Sequence, residues 1–439
     1  MKILIKNGHI IDPSQGIDGI GDILIEGGKI KEINRGREGV GGRRRTPNSE
    51  LSNNSELRTI DAKGLIVTPG LIDMHVHLRE PGFEYKETIK SGTEAAVRGG
   101  FTSICCMPNT EPVNDNGAVT EFILRKAAEE GMVTVYPVGA ITKGLNGETL
   151  SEIGELKSTG CVAISDDGKP VANSLVIRRA MEYAKTFDMP IISHCEDLNL
   201  SEDGMVNEGL VSLELGLRGR TVVSEEIIVH RDIALSEYTG ARVHIAHVTT
   251  AGGVRIIKDA KSRGINVTAE TCPQYFTLTE DAIRDYDTNA KMNPPLRTAK
   301  DVEAIKEGVR DGTIDVIATD HAPHAQFEKE VEFDYAPFGI VGLETALSLS
   351  MRLVKDGWIT LSRLIEMLSC NPAKILGIEK GGIKVGSIAD ITIIDPEREI
   401  TIDSSKFKSK GRNTPFNGFK VAGIPVITIC KGKVYSSEW

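Results

Sequence analysis

The stretch LIDMHVHLREPG, residues 71–82, is a short apolar run that ends in two histidines one residue apart, followed by an arginine and a Pro-Gly turn. In an extended strand residues i and i+2 point to the same side, so His75 and His77, at the end of a predicted strand Leu71 to His77, aim together. Two neutral imidazoles so presented can grip a metal ion, although an isolated His-x-His is as often a structural pair.

Working outward, the same unit recurs from about Gly64 to Ile378: an apolar or β-branched run, then an amphipathic segment of helical length. The predicted strands are Leu71 to His77, Thr102 to Met107, Val133 to Val138, Cys161 to Ser165, Pro190 to His194, Arg242 to His247, Asn266 to Glu270 and Asp315 to Asp320. The predicted helices are Tyr85 to Arg98, Ala118 to Glu130, Ser174 to Thr186, Ser224 to Tyr238, Ala251 to Ser262 and Lys300 to Arg310. Eight such units over roughly 300 residues fit an α/β chain folded as a (β/α)8 TIM barrel better than an open sheet. In that fold chemistry collects at the C-terminal strand ends, where His75, His77, Asn109, Asp167, His194, His247, Glu270 and Asp320 fall. The long connections 195–221 and 321–340 read as walls of the active face.

Residues 1–66 and 382–439 alternate like strands, as in IKVGSIADITIID and VAGIPVITICKGKVY. They are expected to pair into a small β-sandwich domain built from both chain ends, leaving 67–381 as the barrel. Residues 35–58, rich in Arg, Gly, Ser and Asn, read as a flexible surface loop, with an anion or partner patch at Arg43, Arg44 and Arg45 as the alternative.

A chain of 439 residues, 40% hydrophobic, can bury a large core and a second, smaller one. Its apolar runs are broken by Gly or Pro well short of the roughly 20 residues that span a bilayer. The opening MKILIKNGHIID alternates like a strand and lacks a signal-peptide h-region, so a cytoplasmic protein without membrane contact is expected. Seven irregularly spaced cysteines, two of them adjacent at 105 and 106, suit buried thiols rather than a disulfide framework. The formal net charge of −10 argues against nucleic acid and leaves a small molecule as the partner.

His194, His247 and Asp320 end three further predicted strands, which puts four imidazoles and a carboxylate around one face. Mixed nitrogen and oxygen donors suit zinc, with manganese, iron or cobalt as substitutes, and the number of ligands favours two ions over one. Two neighbouring cations need an anionic bridge, and SDDG, residues 165–168, offers Asp167. Asp166 and Lys169 are the alternatives, with ordinary roles as turn former and solvated charge. His9, His230 and His244 read as structural, His244 because it points opposite to its strand neighbours. His321 reads as a support, and His324 reaches over the mouth as a substrate donor. A bound cation makes hydroxide available near neutrality, and Asp320 beside it is placed to take a proton and pass it to a departing nitrogen.

At DMHVHLREPG, MPNT (107–110), SDDG, His194-Cys195-Glu196-Asp197, TDHAPH (319–324) and GRNTPF (411–416) the chain resembles bacterial dihydroorotases of the amidohydrolase superfamily, essentially end to end. The resemblance implies reversible interconversion of dihydroorotate and N-carbamoyl-L-aspartate in pyrimidine synthesis. It implies His75, His77, Asp167, His194, His247 and Asp320 as ligands of one or two zinc ions, and Arg79, Asn109, Asn293 and His324 as substrate contacts. Arg79 offers the planar fork that the substrate carboxylate needs, a surface ion pair being its other reading. A homodimer is the expected assembly, and some relatives associate with aspartate transcarbamoylase. AETCPQYF, residues 269–276, departs from the family pattern and looks more like hydantoinases. A hydantoinase, dihydropyrimidinase or allantoinase is therefore the alternative enzyme, although those enzymes share a carbamylated lysine where this chain has an aspartate. A catalytically silent scaffold for aspartate transcarbamoylase is the alternative of another class.

Overall fold

The computed structural model describes residues 2–35, 57–437 and 439. Eight parallel strands run in chain order around one sheet: β1 (Leu71–Val76), β2 (Phe101–Cys106), β3 (Thr134–Gly139), β4 (Ala163–Ile164), β5 (Ile191–Ser193), β6 (Val243–Ile245), β7 (Val267–Thr271) and β8 (Val316–Ile317). The seam closes just beyond β8, where Val76 bridges His321 in parallel and the His77 amide donates to the His321 carbonyl at 2.8 Å. All eight expected strands are present as a (β/α)8 barrel. β4 and β8 are two residues long, and just past them the Ser165 and Ala318 amides still donate to the Gly139 and Thr271 carbonyls of the neighbouring strands.

Each strand leads into a helix on the outer wall: α1 (Ile89–Arg98), α2 (Gly117–Glu130), α3 (Ile153–Thr159), α4 (Ser174–Thr186), α5 (Val223–Thr239), α6 (Ala251–Ser262), α7 (Ala299–Asp311) and α8 (Ala346–Lys355). Their starts follow side-chain chemistry. Asn116, Asn173, Thr250 and Thr298 each accept a backbone N–H of the first turn, and Asp301 returns the bond at Thr298. α1 begins at Ile89 rather than Tyr85, because Thr88 caps it and Glu80 Oε2 accepts the Ile89 N–H at 2.8 Å.

The strands are apolar on both faces, as a sheet covered on both sides requires. Ile104, Ile164, Ile191, Val243, Ile245 and Ile317 face the helices in one cluster, while Met74, Cys105, Val138, Ile192, Ala246 and Val316 fill the barrel in another. Among the described residues no helix is long and apolar enough to cross a membrane. All seven cysteines are free, and six are buried.

The two chain ends form a second, mixed sheet. Ile66–Pro69 joins them: it pairs in parallel with Lys2–Asp12 and antiparallel with Ile391–Thr401. Hydrogen bonding continues through Ile17–Glu26 and Lys29–Arg35 on one side and Lys420–Cys430 and Lys433–Ser436 on the other. Of the stretch 35–58 expected as a loop, residues 36–56 lie outside the described residues, and Arg35, Leu57 and Arg58 lie in strands.

Candidate metal centre

The β1–β2 register slips between Asp73 and Val76, and Asp73 Oδ1 accepts both the His75 and the Thr319 amides, so the ends of β1 and β8 are tied together. From these ends His75, His77 and Asp320 enter the mouth. Asp167 follows β4, His194 follows β5 and His247 lies two residues past β6. Three residues here adopt left-handed backbone: Arg79 (φ 61°), His247 (φ 31°) and Asp320 (φ 50°). Such a conformation costs on the order of 1–3 kcal/mol for each non-glycine residue and persists only where surrounding structure imposes it. At His247 the reason is visible. Val243 and Ile245 face the helices, so alternation would send His247 outward too, and the positive φ turns it in.

Asp167 is the hub. Its Oδ1 lies 3.3 Å from His75 Nε2, 3.3 Å from His194 Nδ1 and 3.7 Å from His247 Nε2, and its Oδ2 lies 3.5 Å from His77 Nε2. Asp320 Oδ1 is 3.1 Å from His77 Nε2 and 3.5 Å from His75 Nε2, while His194 Nδ1 and His247 Nε2 are 2.9 Å apart. Two groups able to hold an ion result, His75 with His77 and Asp320, and His75 with Asp167 and His247. Spacings of this size match the edge of a tetrahedron, roughly 3.4 Å, whose arms are zinc–nitrogen or zinc–oxygen bonds of about 2.0–2.1 Å. His75 Nε2 and Asp167 Oδ1 are buried with no hydrogen-bond partner. Orphaned acceptors of this kind fit a cation. Asp166 is used elsewhere, accepting the Ile141 and Thr142 amides at 2.8 and 3.0 Å, and Lys169 is exposed.

The electrostatics run the same way. Burial works against the charge of Asp167, yet His75 and the other histidines around it hold the carboxyl well below the usual range, and His75 and His77 also lower that of Asp320. Burial also opposes protonation of His194, but Asp167 and Glu196 push its ring up to about 9. At His194 the carboxylates thus outweigh desolvation, and around it they create a field that attracts cations.

Three of the histidines hold a partner on the far ring nitrogen. His75 Nδ1 meets Glu270 Oε1 at 2.7 Å, His77 Nδ1 meets Asn109 Oδ1 at 2.8 Å, and His194 Nε2 meets Glu196 Oε2 at 3.1 Å. Glu196 in turn pairs with Arg220 at 3.0 Å and accepts Asn293 Nδ2 at 2.9 Å. Glu196 and Arg220 lie in the wall expected over 195–221, but neither is assigned a role of its own from the sequence. Glu196 stands two residues from His194 in a quoted motif, which was a usable signal, whereas nothing local marks Arg220.

Of the expected substrate contacts, Arg79 donates from Nε to the Pro323 carbonyl at 3.2 Å, and its terminal nitrogens bond no other described residue. Burial lowers its pKa, and Asp320 and Asp167 are the largest charges acting against that. His324 is held from both sides: Nδ1 faces Lys86 Nζ at 3.3 Å and Nε2 donates to the Phe338 carbonyl at 2.8 Å. Asn109 lies against His77, and Asn293 against Glu196 and Arg220.

The wall after β8 is pinned. Lys329 Nζ donates to the carbonyls of Thr288, Lys291 and Pro337, and Lys291 Nζ to those of Phe333 and Asp334. Asn413, from the C-terminal segment, donates to the Ala322 and Gly339 carbonyls at 3.0 Å each and accepts the His324 amide at 3.1 Å. Two glycines are sterically required. A Cβ on Gly82 (φ 99°) would lie 2.2 Å from the Glu111 carbonyl oxygen, and one on Gly339 (φ 127°) 2.7 Å from Ala322 Cβ.

The amidohydrolase family pattern matches residues 66–435. The chain is 58% identical over 434 residues to a dihydroorotase of Geobacter metallireducens, covering 99% of each. It is 54% identical over 438 residues to a dihydroorotase of Syntrophus aciditrophicus, covering 100% of each. Among solved structures it is similar to an L-hydantoinase (dihydropyrimidinase) from Arthrobacter aurescens, with TM-score 0.86, 26% identity and coverage of 99% of this chain and 96% of that one. A dihydropyrimidinase from Brevibacillus agri shares the fold at TM-score 0.83 and 24% identity, over 100% of this chain and 95% of its own. Matched along its whole length, the chain belongs to the dihydroorotase family of amidohydrolases.

Proposed function

We propose that this chain catalyses the reversible hydrolysis of (S)-dihydroorotate to N-carbamoyl-L-aspartate, a step of pyrimidine synthesis. What supports the reading is the buried convergence of four imidazoles and two carboxylates, with terminal nitrogens of Arg79 that bond no other described residue. His75, His77, Asp167, His194, His247 and Asp320 are the residues we assign to the metal. Zinc is the ion of choice for such donors, and the two oxygens of Asp167, which between them face all four imidazoles, favour two ions with this carboxylate between them. A divalent cation there supplies an acidified water, its pKa brought from about 15.7 to near 7, and a polarised carbonyl.

The chain's own residues do the rest. Arg79 binds the substrate carboxylate through two parallel N–H donors, with Asn109, Asn293 and His324 lining the ring. His324, kept neutral by burial and by Arg79, orients without exchanging protons. Asp320, held as a carboxylate by His75 and His77, accepts the proton of the attacking water and delivers it to the ring nitrogen as the carbon–nitrogen bond breaks. The new carbon–oxygen bond gives the product carboxylate, and the reverse path closes the ring.

A homodimer in the cytoplasm is the setting we propose with this activity, the seven free thiols supporting a reducing compartment. The hydantoinase reading of AETCPQYF has less behind it. That segment supplies Glu270 behind His75, and the Tyr275 hydroxyl donates to the Pro294 carbonyl at 2.8 Å, supports that serve any ring. A silent scaffold for aspartate transcarbamoylase leaves the complete donor set without a purpose. The deciding experiment assays the purified, zinc-loaded chain on dihydroorotate, hydantoin, dihydrouracil and allantoin, with elemental analysis. Dihydroorotate should be turned over fastest; a faster substrate without the carboxylate, or an inactive metal-replete chain, overturns the proposal.

A further inference from the structure

We infer that Glu270 and His244 are positioning residues that fix the tautomer of His75 and raise its donor strength, and so set how tightly the centre holds its metal. The inference rests on reading the centre as a metal site. His75, Glu270 and His244 are each wholly shielded from solvent. Glu270 Oε1 lies 2.7 Å from His75 Nδ1, Glu270 Oε2 lies 3.1 Å from His244 Nε2, and His244 Nδ1 lies 2.8 Å from Thr268 Oγ1.

The donor count fixes the arrangement. A carboxylate only accepts, so both imidazoles donate to Glu270, His75 from Nδ1 and His244 from Nε2. Donation from Nδ1 leaves the lone pair of His75 on Nε2, the same atom that faces Asp167 and Asp320 with no hydrogen-bond partner. His244 takes the opposite tautomer, its Nδ1 accepting the Thr268 hydroxyl proton.

Three kinds of backing now stand side by side. His77 is backed by the neutral amide of Asn109, and His194 by Glu196, whose charge Arg220 offsets at 3.0 Å. Glu270 has no arginine or lysine within ion-pair distance among the described residues; its only charge partners are the two histidines. A buried carboxylate so placed is costly unless positive charge lies close by. An ion on the far nitrogen of His75 meets that need, and an anionic partner on the near one makes the imidazole a stronger donor.

The test uses the full chain, stripped of metal and titrated with zinc against a chromophoric chelator, and the cobalt(II)-substituted protein for its absorption bands. Glu270→Gln keeps the shape and removes the charge. It should weaken zinc binding about 10- to 100-fold and shift the cobalt bands. His244→Gln can still donate to Glu270 and should stay within about threefold of the native affinity, whereas His244→Leu should fall with Glu270→Gln. Thermal unfolding of the metal-free proteins separates lost folding from lost affinity, and if His244→Leu does not fold, Glu270→Gln decides alone. Native affinity and native cobalt bands in Glu270→Gln overturn the inference. A native chain that takes up no zinc overturns the metal-site reading beneath it.

Discussion

Asp167 Oδ1 and His75 Nε2 face each other at 3.3 Å, both buried and neither hydrogen-bonded. Two lone-pair atoms held so close need positive charge between them. Stripping the metal with a chelator should abolish turnover and added zinc should restore it. Asp167→Ala should lower bound zinc on elemental analysis and cut kcat at least about 100-fold, beyond what the loss of an outer partner costs. Full zinc content in Asp167→Ala would remove Asp167 from the ligand set.

Asp320 combines a left-handed backbone with a carboxyl held ionised by His75 and His77. Asp320→Asn keeps size and polarity but cannot take a proton. Its kcat should fall about 100- to 10,000-fold while much of the zinc stays bound. Steady-state kinetics beside metal analysis checks this, and near-native turnover excludes Asp320 from proton transfer.

Arg79 should act on binding more than on chemistry. Losing charge-assisted hydrogen bonds of about 1.5–3 kcal/mol each, Arg79→Met should raise KM for dihydroorotate roughly 10- to 100-fold. Turnover of a ring amide lacking the carboxylate should hardly change. An unchanged KM for dihydroorotate counts against the clamp.

Burial, then Arg79, Lys86 and Lys329, pull the His324 pKa down to about 2. Its contacts run the same way on balance, since Nδ1 faces the Lys86 ammonium at 3.3 Å, nearer than the Glu328 carboxylate at 3.6 Å, and Nε2–H donates to a carbonyl. The unfolded ring titrates near 6.5, so between about 2 and 6.5 the unfolded state binds the extra proton. The stability from neutral His324 is therefore full above about pH 6.5 and declines as pH falls below it, by up to about 1.4 kcal/mol per pH unit. In melting experiments from pH 7 to 5, His324→Gln should lose stability less steeply than the native chain. Equal slopes would contradict this.

The barrel was legible because its period is short and local: each strand is an apolar run and each helix an amphipathic one, and α4 and α6 begin and end at the residues expected. The mouth was legible where side chains sit at a strand's end or directly after it, as at His75, His77 and His194. His244 shows the limit. Alternation counted back from His247 turns it away from the centre, but β6 ends at Ile245 and the positive φ of His247 breaks the count. Parity holds only within a strand. His244 in fact lies inside, on Glu270, and remains a support rather than a ligand. Arg220 was invisible for another reason: it meets Glu196 from the opposite end of the loop 195–221, and no local pattern pairs the two ends.

Asn413 grips Ala322, His324 and Gly339 from near the far end of the polypeptide. The wall of the mouth is therefore completed by a segment that follows the barrel in the chain, and the barrel does not build it alone. Without Asn413 the wall around His324 loses the side chain that ties its two edges together through Ala322 and Gly339. The second sheet's side of the chain is thus a builder of the mouth as well as a neighbour of the barrel.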